Sequence, residues 1–164
     1  MTLVVNASPL IHLARVSLLE LLHESRGGVQ AVIVPAVVFE EVMRGVPHDP
    51  SVQSVEQAAR DWLAIVPTPP PHPDIDSARI DSGEIAVLSL ALATAEACVV
   101  LDDRAARAEA ARLGIPKTGT LRLLLDAKEL GIIASVRAPL ERLRTQGMRL
   151  SDAVWHEVLR LAGE

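Results

Sequence analysis

Carboxylate and amide oxygens are the side-chain groups with the clearest chemical potential in this 164-residue sequence. It has no G-x-G-x-x-G, H-E-x-x-H or G-x-S-x-G motif, and residues 114–120 lack the Gly-Lys-Ser/Thr ending of a phosphate loop. Its one cysteine, Cys98, lies in an apolar run, which is typical of a buried thiol. Its five histidines show no metal-ligand spacing, and we interpret them as surface or helix-face residues: His12, His23, His48, His72 and His156.

Oxygen-bearing side chains occur at four positions along the chain where strands end or helices begin. These positions are Asn6 with Ser8, Glu41, Glu84, and the adjacent pair Asp102 and Asp103. An oxygen-only set of ligands selects hard cations such as Mg²⁺ or Mn²⁺ over zinc. The sequence therefore predicts a divalent-metal site, if the fold brings these positions together.

Most of these positions also have an ordinary structural explanation. Asn6 suits a strand-to-helix turn, and Ser8 followed by proline is a strong signal for a helix N-cap. Glu84 can be the third helical residue of a capping box whose N-cap is Asp81. Asp103 is the expected N-cap of the helix that follows, and capping explains one aspartate better than two. Asp102, which is nearest the strand end, is therefore the firmest ligand candidate.

Helical periodicity separates two neighbouring glutamates. Glu41 lies four and three residues after Val37 and Val38 and shares their inward face, whereas Glu40 is expected in solvent. A carboxylate at the border of an apolar stripe needs a partner. Glu41 is therefore the candidate, and Glu84 borders the buried side of its own helix in the same way.

Short apolar runs rich in β-branched residues predict the strands. They are Thr2–Val5, Val29–Val34, Cys98–Leu101 and a short edge strand at Ile115–Thr118. Strands that alternate with helices predict an α/β fold with three α/β/α layers and a central parallel sheet of about four to five strands. In such sheets, functional residues collect at the carboxyl ends of the strands.

Helical spacing and capping residues predict the helices. They are Leu10–Leu22 with a break near Val16–Ser17, Ala36–Arg44, Asp49–Leu63, Gly83–Glu96, Arg104–Leu113, Thr120–Leu130, Ser135–Thr145 and Ser151–Ala162. Gly27 and Gly28 predict a turn, and Pro67–Pro73 predicts an extended surface connection. We expect one domain over residues 1–164, helical from about residue 120 onward.

Composition limits the classes of function. Aromatic residues make up 2% of the chain, which disfavours a platform that stacks bases. The formal net charge of −5 excludes a general polyanion binder, so any contact with nucleic acid must be local. Arginine greatly outnumbers lysine, which suits bidentate contact with phosphate, although a GC-rich genome would give the same bias.

Neither a signal peptide nor a membrane span is evident. The N-terminus enters a short strand-like run without a basic region, and the longest stretch without charge or proline, Ile85–Ala95, is too short to cross a bilayer. The sequence therefore predicts a soluble cytoplasmic protein.

Five segments together resemble the PIN-domain family, which are compact α/β nucleases that include the VapC-type toxins. They are V-V-N-A-S-P-L-I at 4–11, V-P-A-V-V-F-E-E-V at 34–42, D-S-G-E-I-A-V-L at 81–88, V-V-L-D-D-R-A-A-R at 99–107 and G-T-L-R-L-L-L at 119–125. The resemblance runs over nearly the whole chain. Its last three segments are most similar to a poorly characterised PIN-like bacterial branch.

The resemblance implies a metal-dependent endoribonuclease. Glu41, Glu84 and either Asp102 or Asp103 would match the acidic metal ligands of the family, with Ser8 supporting the first position. Mg²⁺ or Mn²⁺ would activate water for attack on an RNA phosphodiester. Relatives often form homodimers, and the toxins are held inactive by a cognate antitoxin protein.

Two arginines extend this interpretation to the substrate. Arg104 and Arg107 lie on the helix after the acidic pair, where they could reach RNA phosphate near the metal. The alternative for each is an ordinary salt bridge to a surface carboxylate.

Asn6 departs from the pattern of the family, which commonly has aspartate there. An amide oxygen can bind Mg²⁺ but brings no negative charge, so metal affinity should fall. A catalytically degenerate PIN fold that acts as a binding or assembly module is therefore the main alternative. A phosphohydrolase or phospho-acceptor domain ranks last, because it would need an aspartate nucleophile where the chain has Asn6.

Overall fold

The central element of the fold is a five-stranded parallel sheet, which confirms the predicted α/β class. A computed structural model describes residues 1–24, 28–45 and 49–164, so Gly27 of the expected turn and His48 lie outside the described residues. The strands are β1 Thr2–Val5, β2 Ala31–Pro35, β3 Leu63–Val66, β4 Ala97–Val100 and β5 Lys117–Thr118. Their order across the sheet is β3-β2-β1-β4-β5.

Helices flank this sheet in three α/β/α layers. They are α1 Ala7–Arg15, α2 Leu21–Glu24, α3 Ala36–Met43, α4 Pro50–Asp61, α5 Ser82–Leu92, α6 Arg104–Arg112, α7 Thr120–Glu129, α8 Arg137–Thr145 and α9 Asp152–Ala162, with a 3₁₀ turn at Ser77–Arg79. The chain is thus helical after residue 120, as predicted. Within the described ranges, every helix is too short or too polar to cross a membrane.

Strand β1 occupies the middle of the sheet. Val4 is in register with Ile33 of β2 on one side and with Val99 of β4 on the other. The backbone N–H of Asn6 donates to the carbonyl of Val100 at 3.2 Å, which extends the pairing one residue beyond β1. The chain first builds β2 and β3 on one side of β1 and then returns to build β4 and β5 on the other. The carboxyl ends of β1 and β4 therefore meet at a switch point of the topology.

The sequence did not predict strand β3, and its first residue, Leu63, was wrongly assigned to the end of a helix. The predicted helix Asp49–Leu63 ends at Asp61, and Leu63–Val66 instead pairs with β2 as an edge strand. The run has only four residues before Pro67, and its pairing depends on β2, about thirty residues earlier in the chain. Local sequence therefore gives little sign of it. Strand β2 also begins at Ala31 rather than Val29.

The start of α1 also differs from the prediction. The helix begins at Ala7, so Asn6 occupies the N-cap position, while Ser8 is exposed in the first turn rather than being the cap. Pro9 is tolerated there because first-turn N–H groups have no partner within the helix. The predicted break is confirmed at Ser17, whose φ is 59°.

The proline-rich segment 67–73 contains no regular helix or strand, as predicted, and the chain that follows it is pinned to α6. Asp76 N–H donates to Glu109 Oε1 at 2.7 Å, and Arg112 donates to the carbonyl of Asp74. Arg112 also forms two hydrogen bonds to Glu109, at 2.8 and 2.6 Å. Glu109 is only 8% exposed, and its hydrogen bond from Arg112 is the main cause that lowers its pKa. This clasp fixes the chain that leads into α5.

Removing the hydrogen bonds of Glu109 should destabilise the chain around Asp76 more than the sheet. We expect Glu109→Ala to lower the free energy of unfolding by about 2 kcal/mol, because it leaves Asp76 N–H and Arg112 without their acceptor. Hydrogen exchange at Asp76 should accelerate, while exchange in β1 should follow only the global change. Glu157→Ala is the matched control, because Glu157 and Arg160 form the same i,i+3 pair on an exposed face. Equal effects of the two substitutions on stability and exchange would contradict this role.

Candidate functional site

Three side-chain oxygens converge on Gly83 in the first turn of α5. A Cβ atom at this position would lie 3.2 Å from Glu41 Oε2, 3.3 Å from Asp81 Oδ1 and 3.4 Å from Asn6 Oδ1. The glycine thus leaves the space that lets these oxygens approach one another. They come from the end of β1, from α3 and from the residue before α5. The structure therefore brings Asn6 and Glu41 together, as expected, and adds Asp81.

Asn6 Oδ1 is a buried acceptor that needs a partner. Asn6 is 6% exposed, and its Oδ1 forms no hydrogen bond to any residue that the structure describes. An unpaired buried polar atom costs about 1–3 kcal/mol. Its nearest neighbours around Gly83 are carboxylate oxygens, which cannot donate while they are ionised. A bound cation would satisfy this oxygen.

Glu84 is the most perturbed acid of the cluster. Burial, with a residual exposure of 6%, raises its pKa to about 7, and the nearby negative charges of Asp81, Asp103 and Glu41 add to the effect. A hydrogen bond from Asp81 N–H to Glu84 Oε2, at 3.0 Å, partly opposes it. Glu84 N–H in turn donates to Asp81 Oδ1 at 2.8 Å, so the expected capping box is present. Glu84 therefore belongs both to the capping box and to the acidic cluster.

Glu41 and its neighbour Glu40 are both exposed, but different charges surround them. Partial burial raises the pKa of the Glu41 carboxyl, Asp81 raises it further, and Arg44 lowers it. Glu40 instead forms an exposed ion pair with Arg44 at 3.2 Å. Residue 41 as a whole is more exposed than its inward-facing prediction implied, because only its Oε2 reaches the space beside Gly83.

Asp103 is connected to the cluster through Glu84. Its Oδ1 accepts hydrogen bonds from Ala105 N–H at 2.7 Å and Ala106 N–H at 3.0 Å, so it is the N-cap of α6 as predicted. Its charge is nevertheless close enough to raise the pKa of Glu84. The exposed carboxylate thus has one capping oxygen, and the other is left for a ligand.

Asp102, the firmest candidate from sequence, is held in a separate network. Its Oδ2 lies 2.8 Å from His12 Nδ1 and 2.7 Å from the hydroxyl of Thr120, while its Oδ1 accepts from Thr120 N–H at 2.8 Å. Burial opposes its ionisation, but these hydrogen bonds and the charge of His12 outweigh it and lower the pKa of Asp102. Both oxygens are already used. Asp102 therefore joins α1, the end of β4 and α7.

The remaining predicted residues do not join the cluster through any described contact. Arg107 donates through Nη1 to the carbonyls of Leu101 at 3.0 Å and Thr118 at 2.8 Å, so it binds backbone. Arg104 is exposed and faces a neighbouring groove. Ser8 is exposed in the first turn of α1.

Three important residues were missed in the sequence. Asp81 was recognised only as a cap, His12 as a surface or helix-face residue, and Thr120 only as the first residue of a helix. The D-S-G-E run could have pointed to Asp81, because the small Gly83 follows it. His12 and Thr120 left no local sign, since each meets Asp102 only through the fold.

The donor set fits a hard divalent cation. All the donors are oxygens, one is an unpaired buried amide oxygen, and the neighbouring carboxylates repel one another. Over residues 1–24, 28–45 and 49–164, no three His, Cys, Asp or Glu side chains are grouped tightly enough to be a ready-made metal site. The oxygens surround a common space but do not form a compact set of metal ligands.

The raised pKa of Glu84 predicts a pH-dependent stability. The folded state binds this proton with a pKa of about 7, against an ordinary value of 4.5 for a glutamate, so the stability is full below pH 4.5 and falls as the pH rises through 7. The loss is at most about 3 kcal/mol, because one pKa unit corresponds to about 1.4 kcal/mol. Glu84→Gln keeps an acceptor for Asp81 N–H and should remove this loss.

Urea denaturation at pH 5 and pH 8 in a chelator would measure the effect. The wild type should lose more stability than Glu84→Gln between the two values. Glu141→Gln, on the exposed side of α8, should behave as the wild type does. A variant at residue 84 with the wild-type pH dependence would show that the burial and repulsion argument is wrong.

A comparison with known protein families identifies the family of this chain. A family model described as a PIN domain matches residues 2–164. This range includes every residue of the acidic cluster and of the Asp102 network. A comparison with curated proteins gives no match. The match covers nearly the whole chain and the parallel sheet flanked by helices is consistent with a PIN-like fold, so the chain belongs to the PIN-domain family.

Proposed function

We propose that this protein is a divalent-metal-dependent endoribonuclease that hydrolyses RNA phosphodiesters. The PIN domain is a nuclease-type fold, and PIN domains typically use divalent metal ions. The observation that carries the proposal is the buried, unpartnered Oδ1 of Asn6 beside the carboxylates of Glu41 and Asp81. Such a group of oxygens is costly for the protein alone and suits Mg²⁺ or Mn²⁺.

Asn6, Glu41, Glu84 and Asp103 are the residues proposed to hold the cation, with Asp81 as an added acid. When bound, the cation would lower the pKa of a water molecule and neutralise charge that develops on the phosphate. Asp81 lies beside Asn6, so it can supply the negative charge that the amide lacks.

Glu84 is the residue best suited to handle a proton. Its Oε2 is fixed by Asp81 N–H, which leaves the other carboxyl oxygen to accept from a water molecule. Its pKa is raised to about 7 in the metal-free protein, and the positive charge of a bound cation would lower that value and favour the ionised carboxylate. Asp102 is proposed as a positioning residue, because it holds the end of β4 from which Asp103 projects.

The resemblance to VapC-type toxins extends the proposal. The protein would be the toxin of a toxin–antitoxin pair, acting in the cytoplasm as a homodimer and held inactive by an antitoxin protein. The resemblance is the sole support for these points. A neighbouring open reading frame for a small DNA-binding protein would strengthen them.

A degenerate PIN module is the second candidate function. Two observations favour it: position 6 has no charge, and the described acids are not drawn into a tight group of three. A module of this kind would bind a partner protein without binding Mg²⁺ or Mn²⁺. Metal binding therefore separates the two candidates.

The endoribonuclease proposal predicts a loss of cleavage in two variants. Glu84→Gln and Asp103→Asn should each slow cleavage of single-stranded RNA in Mg²⁺ or Mn²⁺ by about a hundredfold or more. Both variants keep their capping hydrogen bonds, so the fold should persist. Controls at exposed positions, Glu40→Gln and Asp61→Asn, should cleave as the wild type does. Asp102→Asn is less informative, because it would disturb the network that organises the fold.

Two outcomes would decide against this proposal. Wild-type protein that cuts no RNA with either metal would favour the degenerate module. Equal cleavage by the wild type and by both variants would assign the cleavage to a different site or to a contaminant.

Gly83→Ala tests where the cation lies. The added methyl group would lie 3.2–3.4 Å from three oxygens and should push them apart by a few tenths of an ångström. We expect Mn²⁺ affinity, measured by calorimetry, to fall about tenfold, as for other disturbed metal shells. Stability in a chelator should hold, because alanine suits a helix better than glycine. Ser82→Ala is the exposed control, and unchanged affinity in Gly83→Ala would place the cation elsewhere.

A further inference from the structure

A groove borders the acidic cluster on the side of α6. Its volume is about 690 Å³, and its walls are formed by Asp76, Arg79 and Ile80 on one side and by Asp103 and one face of α6 on the other. Asp103 also lines this groove and influences Glu84, while Ile80 immediately precedes Asp81. The groove is therefore continuous with the candidate active site, and its size is within the range of about 300–1,000 Å³ typical of ligand sites.

Two arginines in this groove have no partner for their charge. Arg79 and Arg104 are both exposed, and neither guanidinium forms an ion pair or hydrogen bond with a described residue. Many other arginines of the chain are paired, as with Arg60 to Glu56 and Arg160 to Glu157. A free guanidinium offers five donors in a planar fork that matches phosphate.

The wall that presents Arg79 is held in place. Asp76 caps the 3₁₀ turn by accepting from Ala78 N–H at 3.1 Å, and its own N–H is bound by Glu109. On the opposite wall, Arg104 is the first residue of α6, directly after its N-cap. Both cations therefore project from short segments whose backbones are fixed, which reduces the entropy lost on binding.

The charges of the groove favour an anion once a cation occupies the cluster. Glu109 and Arg112 neutralise each other as a pair, and Asp103 would be used by the metal. Arg79 and Arg104 then face only Asp76, whose Oδ1 already caps the 3₁₀ turn. Without a cation, the six charged residues of the lining balance, with three acids against three arginines. When the cation takes up the charge of Asp103, one positive charge is in excess, although the protein as a whole has a net charge of −5.

We infer that Arg79 and Arg104 form a subsite for the RNA phosphate next to the one that is cut. This inference rests on the proposed function, because the continuity with the acidic cluster identifies the anion as part of the same strand. Contacts of this kind position a strand without reading its sequence. The subsite would fix the register of single-stranded RNA across the cluster.

Fluorescence anisotropy with a short labelled single-stranded RNA would test the subsite. Binding is measured with Mg²⁺ in Glu84→Gln protein, so that the RNA stays intact. Adding Arg79→Gln or Arg104→Gln should weaken binding at least about fivefold for any RNA sequence, and each should reduce the salt slope by about 0.7. Arg142→Gln, which removes an unpaired exposed arginine on α8, should change neither quantity. In otherwise wild-type protein, the two groove variants should lose activity mainly through KM.

The outcomes separate the subsite from the nuclease activity. If the wild type cuts RNA but the groove variants bind it as the Arg142→Gln control does, the subsite is wrong and the nuclease stands. If no RNA is cut but the groove variants lose affinity, the subsite stands without the activity. Poly-glutamate that binds as tightly as RNA, with the same losses, would overturn the assignment to RNA in favour of an acidic protein segment.

Discussion

The pairing of β1 with β4 is the constraint on which the rest of the structure depends. It places the residues after β1 and after β4 side by side at one edge of the sheet. Helices that join parallel strands run back across the sheet, so the first turn of α5 lies at this same edge. Asn6, Asp103 and Glu84 therefore meet although they are far apart in sequence. The order of the strands is therefore what brings these acidic side chains together.

Two adjacent aspartates at this edge have opposite environments. Asp102 is surrounded by hydrogen-bond donors from α1 and α7, which keep its carboxyl group ionised and occupy both of its oxygens. Asp103, one residue later, points to the solvent and to Glu84, where negative charges accumulate. One carboxylate thus stabilises the fold, while the other adds to a repulsion that a bound cation or protonation of Glu84 can relieve. The pKa of Asp102 is lowered and that of Glu84 is raised, and acids whose pKa values shift in opposite directions are common at functional sites.

Most of the helices and strands could be predicted from the sequence because their signals lie in short, local patterns. The buried run of β4, the capping signal before α5 and the proline-rich connection are each visible within about ten residues. The edge strand β3 and the network of Asp102 could not be predicted in this way, because each requires partners that are distant in sequence. The same limit explains why Asp102 was preferred over Asp103: proximity to a strand end says nothing about which donors surround the side chain.

The amide of Asn6 reduces the negative charge of the cluster, but the cluster remains acidic. An aspartate there would add a further negative charge beside Glu41 and Asp81, and burial would make that charge expensive. Asn6 avoids this repulsion but leaves an unsatisfied oxygen, which costs less than a buried charge. The charge of Asp81, contributed from the partly solvated start of α5, keeps the cluster attractive to a cation. If the cluster binds a cation as proposed, Asn6 would lower its metal affinity and raise the stability of the metal-free protein.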